Sequence, residues 1–134
     1  MKKVFIFASI ILLFACNNNK SKTNQNIETA AQFNPEWVGT YEGIFPCADC
    51  EGIKTTIELR PDNTYTRRLE YLGKGSLLKD DNPFSWDDTE TIIILPFGDD
   101  KQLFKISDQS IVMLDSNGKE ITGELAKNYI LTKK

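Results

Sequence analysis

The residues best suited to chemistry are two cysteines in a C-x-x-C, Cys47 and Cys50, within the run Pro46-Cys47-Ala48-Asp49-Cys50-Glu51-Gly52. Around them the usual catalytic equipment is missing. The chain has no histidine, which removes the commonest general base and the commonest metal ligand together. No glycine-rich phosphate cradle is present, and no serine or threonine has an evident base. Aspartates and glutamates fall in expected turns or on polar strand faces, so no catalytic residue is singled out and the chain is read as a non-enzyme. Three outcomes compete for the thiol pair. A disulfide would close the loop, with a small stabilising effect because so short a loop removes little chain entropy. Redox exchange is a second outcome, although low-pKa C-x-x-C thiols work at helix N-termini and this stretch reads as strand and loop. Soft-metal binding by the reduced pair is the third. Two thiolates suit Cu(I) but fall short of a four-ligand zinc site. Asp49 is either a hard contributor to that set or a turn carboxylate.

The third cysteine, Cys16, has a different setting. Met1-Lys2-Lys3 is a positive n-region, Val4 to Ala15 is apolar apart from Ser9, and the polar run Asn17-Asn18-Asn19-Lys20 follows. That layout is a signal peptide; about twelve residues would rise only roughly 18 Å as a helix, short of a bilayer core. Leu13-Phe14-Ala15-Cys16 resembles the bacterial lipobox. The resemblance implies cleavage before Cys16, a diacylglyceryl thioether on its sulfur and an acylated N-terminus. Several acyl chains at roughly 0.8 kcal/mol per buried CH₂ anchor a protein nearly permanently. The membrane is therefore the first expected partner, reached by lipid. A formal charge of −3, mixed along the chain, offers no basic track for nucleic acid.

Residues 1–15 are assigned to the signal peptide, 16–33 to the lipidated cysteine and a polar tether, and 34–134 to one domain that carries the C-x-x-C. The tether is too poor in apolar residues to bury a core. The domain reads as short strands between turn signals. Trp37 to Phe45 comes first, with Gly39 and Gly43 where a strand bends or bulges. Ile53–Leu59 alternates, with Ile53, Thr55, Ile57 and Leu59 on one face, and Pro61-Asp62-Asn63 turns the chain. Tyr65–Leu72 alternates again, placing Arg67 on the face of Tyr65, Leu69 and Tyr71. Gly73 to Asn82 reads as a long polar connection. Phe84-Ser85-Trp86, Thr91–Leu95, Gln102–Ile106, Ile111–Leu114 and Tyr129–Thr132 complete the set, with one helical turn allowed in Glu120–Lys127. Short links without βαβ spacing point to an all-β antiparallel meander of about eight strands, closed as a barrel.

The stretch Tyr41-Glu42-Gly43-Ile44-Phe45-Pro46-Cys47-Ala48-Asp49-Cys50-Glu51-Gly52-Ile53, continuing through Thr55, Leu59, Thr64-Tyr65 and Tyr71-Leu72-Gly73, is similar to the N-terminal domain of the NlpE family, envelope lipoproteins also named for copper resistance. Trp86, Leu103-Phe104-Lys105-Ile106, Met113 to Lys119 and Tyr129-Ile130-Leu131 fit the same pattern. The resemblance covers roughly residues 35 to 132. It implies a lipocalin-like, eight-stranded β-barrel and roles in copper tolerance, surface sensing and envelope stress signalling, with a stress-sensor protein as partner. Only Cys47 and Cys50 match functional residues of the family. Some members carry a second, OB-like domain, and no role that needs it is carried over.

The leading functional expectation is thus a monomeric, lipid-anchored envelope protein whose Cys47–Cys50 loop responds to redox state or Cu(I), with no required cofactor. Asn17 is not the aspartate that retains enterobacterial lipoproteins at the inner membrane, which favours the outer membrane. The alternative is a carrier: barrels of this size hold one small apolar ligand, and Trp37, Tyr41, Tyr65, Trp86 and Phe104 are the side chains that would line such a pocket or simply fill it. A thiol oxidoreductase is the third reading.

Overall fold

Alternation builds this sheet. In β2 (Ile53–Leu59) and β3 (Thr64–Tyr71), side chains at every second position are buried while those between them face out, as the two-residue period of a half-buried strand requires. The computed structural model describes residues 35–134; the expected signal segment, Cys16 and the tether lie outside the described residues. With β1 (Gly39–Phe45), β4 (Ser76–Pro83), β5 (Ser85–Trp86), β6 (Ile92–Phe97), β7 (Asp100–Ser107), β8 (Ser110–Met113) and β9 (Ile130–Lys133), the strands form one antiparallel sheet. Its spatial order is β4-β3-β2-β1-β9-β8-β7-β6-β5. The last strand returns to the first, Tyr41 opposite Lys133 and Glu42 opposite Thr132, so the meander curls into a nearly closed barrel. Gly43 permits that closure: a Cβ there would lie 2.7 Å from the Ile130 carbonyl oxygen and 2.9 Å from Leu131 Cδ2.

The sheet has nine strands where the periodicity reading expected eight. The additional one is β4, in the segment read as a polar connection. It forms a full ladder with β3, from Thr64 opposite Pro83 to Tyr71 opposite Ser76, but as the terminal strand it is wet on both faces and shows no apolar alternation. The expected helical turn is present only as a 3₁₀ turn at Ala126–Tyr129.

The barrel interior is filled by side chains. Tyr41, Ile57, Leu59, Tyr65, Ile93, Leu95, Phe104, Ile111 and Leu131 are fully or almost fully buried. Trp37, Phe84 and Trp86 plug the end where the chain enters, in three edge-to-face contacts with centroids 5.4–5.7 Å apart, a favoured aromatic arrangement. A concavity of about 520 Å³ lies on the outer face of β1–β4, where charged Glu42, Lys54, Arg68 and Glu70 ring it.

Between β4 and β6 the ladder is open, and side chains span the seam. Arg67, almost wholly buried, donates from Nε and Nη2 to the two carboxylate oxygens of Asp80 at 2.9 and 2.8 Å. It also donates to the Pro96 carbonyl at 2.9 Å and to Gln102 Oε1 at 2.8 Å. Phe97 stacks on the guanidinium, 4.8 Å from centroid to Cζ, a cation–π contact. Tyr65 adds donation to Asp80 at 2.8 Å, with the Pro96 carbonyl 3.1 Å from the same hydroxyl. Bidentate geometry of this kind is the strongest ion pairing available to side chains. Burial first, and then the hydrogen bond to Asp80, push the Tyr65 phenol up to about 12.

Arg67→Met should therefore lower stability by about 3 kcal/mol, the cost of leaving a carboxylate without its buried partner, read as a shift in urea midpoint. Tyr65 makes an alkaline prediction. Its neutral form is the one the folded state favours, so its contribution is intact below about pH 10 and is lost as pH rises toward about 12. Alkaline unfolding of the native chain should be displaced in Tyr65→Phe, as followed by circular dichroism against pH.

Candidate functional site

The C-x-x-C lies in the loop that joins β1 to β2. Phe45 is held inside by stacking on Phe104 at 6.4 Å and by Tyr129 at 6.0 Å, and Ile53 pairs opposite it. The residues between them are forced out past the barrel rim. Pro46 begins the loop, Cys47 and Cys50 are half-buried, and Ala48 and Asp49 are exposed. Gly52 ends it at φ +154°, against Ile44, a conformation that disfavours any residue with a Cβ.

Cys47 and Cys50 form a disulfide, their Cα atoms 5.3 Å apart. Each sulfur already faces an oxygen: Cys47 Sγ lies 3.4 Å from Asp49 Oδ1, and Cys50 Sγ lies 3.4 Å from the Gly52 carbonyl oxygen. Disulfide sulfur carries no proton to donate, so these are close approaches in the oxidised state. The donor atoms of Cys47, Asp49 and Cys50 all lie within 4.8 Å of one another. A hard carboxylate therefore sits beside two soft sulfurs.

The loop is tied to the turn between β3 and β4. Leu72 N–H donates to the Gly52 carbonyl at 3.0 Å, and Lys74 forms an ion pair with Asp49. Hydrogen bonding from Lys74, followed by its charge, holds the Asp49 carboxyl below its ordinary range. Lys74 was hidden in the segment read as a connection, although Gly73 and Gly75 flanking it, both at positive φ, are a turn signal. No helix follows Cys50, so the macrodipole that activates a thiol in helical C-x-x-C motifs has no counterpart here.

The five aromatic candidates for a ligand pocket occupy different places. Trp37 and Trp86 belong to the plug at the end where the chain enters, Trp86 donating from Nε1 to Asn63 at 3.2 Å. Tyr41 is fully buried and donates to the Trp37 carbonyl at 2.8 Å. Tyr65 belongs to the seam network and Phe104 to the stack beneath the C-x-x-C loop. Tyr41, Tyr65 and Phe104 belong to the buried core, and Trp37 and Trp86, partly buried, pack against it. Arg67, Asp80 and Gln102 were not singled out from the sequence as a group; Arg67 on an apolar strand face was the one available sign.

Cys16 lies outside the described residues. Among the described residues no helix is long and apolar enough to cross a membrane.

Comparison with known proteins bears on the whole domain. The chain is 28% identical over 140 residues to "Lipoprotein NlpE" of Escherichia coli (strain K12), an alignment that spans 98% of this chain and 57% of the relative. The chain thus spans little more than half the length of that curated protein. A crystal structure from Shewanella oneidensis superposes with a TM-score of 0.68 at 43% identity, covering 73% of this chain and 89% of the other. The crystal structure of the Cpx pathway activator NlpE from E. coli superposes with a TM-score of 0.53 at 27% identity, covering 64% of this chain and 46% of that one. Residues 41–124, which include the whole C-x-x-C loop, the seam network and the β3–β4 turn, match the family described as NlpE N-terminal domain, and with a barrel of the same kind the chain belongs to that family.

Proposed function

We propose that this NlpE-type lipoprotein is anchored by an acylated Cys16, at the outer membrane, and responds to copper and envelope stress through the Cys47–Cys50 loop. The observation that carries the reading is the convergence of two sulfurs and one carboxylate, all within 4.8 Å, on an exposed loop fixed to a rigid sheet. Two states of the loop have different chemistry. In the disulfide both sulfurs are committed to one another. Reduction by an external dithiol consumes two electrons and two protons and leaves two thiols, while the reductant becomes a disulfide. The thiols then have acceptors at hand, Asp49 for Cys47 and the Gly52 carbonyl for Cys50. Binding of Cu(I) releases the thiol protons and uses both sulfurs, a donor set suited to a soft ion of low coordination number. Asp49 and the Lys74 ammonium tune the charge beside them.

A full-length chain carrying Cys16→Ser, purified without lipid and reduced, should bind one Cu(I). The same chain with Cys47→Ser and Cys50→Ser should lose that affinity by at least roughly tenfold, about 1.4 kcal/mol. Competition titration against a chromogenic Cu(I) chelator reads both; equal affinity in the two proteins removes the metal role.

The ion pair makes its own prediction. The Asp49 carboxyl titrates below its ordinary range, so the contact with Lys74 is complete above about pH 4 and is lost as pH falls through the lowered value. Amide exchange in residues 47–52 should quicken in Lys74→Met while the global unfolding midpoint stays in place, because exposed ion pairs contribute little to stability. The native loop should quicken in the same way on acidification.

A further inference from the structure

The two ends of the barrel differ in their exposed surface. Strand directions follow from the ladders: β1 runs from the end where the chain enters, at Gly39, to the C-x-x-C end at Phe45. β4 and β9 begin at that C-x-x-C end and β6 finishes there. Among the described residues, the large hydrophobic side chains left exposed are Ile44, Leu77, Leu78, Phe97, Leu125 and Ile130. Every one belongs to the C-x-x-C end. Ile44 immediately precedes Phe45, Leu77 and Leu78 open β4, Phe97 closes β6, and Leu125 and Ile130 flank the 3₁₀ turn that leads into β9. Leu77 and Leu125 are 60% and 54% exposed, beyond what a core at its margin needs. The opposite end carries polar turns instead, Pro61-Asp62-Asn63, Asp87-Asp88-Thr89-Glu90 and Asp108-Gln109. Scattered exposed apolar residues are ordinary on a protein surface; their collection at one end is not.

We propose that this end is the docking face for a protein partner whose own surface presents apolar side chains bordered by lysine and arginine. Two features of the face select that occupant. β4 is the terminal strand of the sheet, with no ladder partner beyond it among the described residues, so its exposed first residues can extend the sheet to an added strand, with Leu77 and Leu78 on the two faces of the same edge. The charge beside the apolar groups is mostly negative. Glu51 follows the disulfide, Asp99 and Asp100 follow Phe97, and Glu124 precedes Leu125. None of these four has an ion-pair partner among the described residues. Of the basic groups nearby, Lys54, Lys74 and Lys79 are paired with carboxylates, which leaves Arg68 beside Leu77, Lys101 and Lys127 as the unpaired cations. An acidic, apolar face repels a second copy of itself and an anionic bilayer, and it complements a basic, apolar protein surface. The C-x-x-C loop belongs to this same rim, so a change in its covalent state would occur on the docking face itself. The docking face itself does not depend on metal binding or on the redox reading.

Site-specific photocrosslinking in living cells, with the full lipidated chain, tests this. A photoreactive residue at Leu77 or Leu125 should give a discrete protein adduct, and one at Asp88 or Gln109 should not. Mass spectrometry of the crosslinked peptide should place lysine or arginine beside apolar residues of the partner. In a chain carrying Leu125→Glu, with the probe at Leu77, adduct yield should fall roughly tenfold, as for loss of an interface anchor, while the unfolding midpoint of the purified chain is retained. Adducts to a second copy of the chain, adducts to lipid alone, equal yields from both ends, or no adduct from the rim would each overturn the proposal.

Discussion

Four hydrogen bonds from one guanidinium hold the two halves of this barrel together. The sheet is a ribbon whose ends, β4 and β5, are neighbours in sequence but do not continue the ladder across to one another. Arg67, projecting inward from β3, reaches β4 through Asp80, β6 through the Pro96 carbonyl and β7 through Gln102. The Tyr65 hydroxyl also bridges β4 and β6, between Asp80 and the Pro96 carbonyl, and no ladder joins those two strands. A charge buried this deeply is costly unless every donor is matched, and here Phe97 covers the guanidinium plane that the hydrogen bonds leave free.

With the seam bridged, the remaining features fall into an axial order. The aromatic plug of Trp37, Phe84 and Trp86 closes the barrel where the chain enters. The stacked pair Phe45 and Phe104 lies toward the other rim, and the C-x-x-C loop rides on it. The loop is mounted on a buried aromatic and tied to the β3–β4 turn at Gly52 by Leu72 and at Asp49 by Lys74. Its chemistry is accordingly that of a rigid β-loop. The sulfurs keep their spacing and their oxygen neighbours, and no helix dipole biases them toward thiolate.

That arrangement differs from a helical C-x-x-C, since a strand and not a helix follows Cys50. Rapid exchange needs a thiol whose ionisation is favoured and a substrate-facing sulfur. Here Lys74, the cation tied to the loop, is engaged by Asp49. The pair sits where the barrel's exposed apolar side chains gather.

The two-residue period of Ile53–Leu59 and Tyr65–Tyr71, the turn at Pro61-Asp62-Asn63 and the position of the C-x-x-C between strands were all legible from residue order, because each depends on neighbours a few positions apart. Arg67 could be placed on an apolar face for the same reason. What met it could not: Asp80, Pro96 and Gln102 lie 13, 29 and 35 positions away, and only the register of β3 on β4 and the curl of the sheet bring them to one guanidinium. β4 escaped detection because an edge strand wet on both faces needs no hydrophobic alternation, so its strand character comes from the partner that hydrogen-bonds to it. The pairing of Lys74 with Asp49 and the gathering of exposed apolar side chains at one rim belong to the same class. Local order in the chain decided which residues form strands and which loop holds the sulfurs; closure of the sheet decided what those residues touch, since contact across a barrel is set by register and curvature and not by distance along the chain.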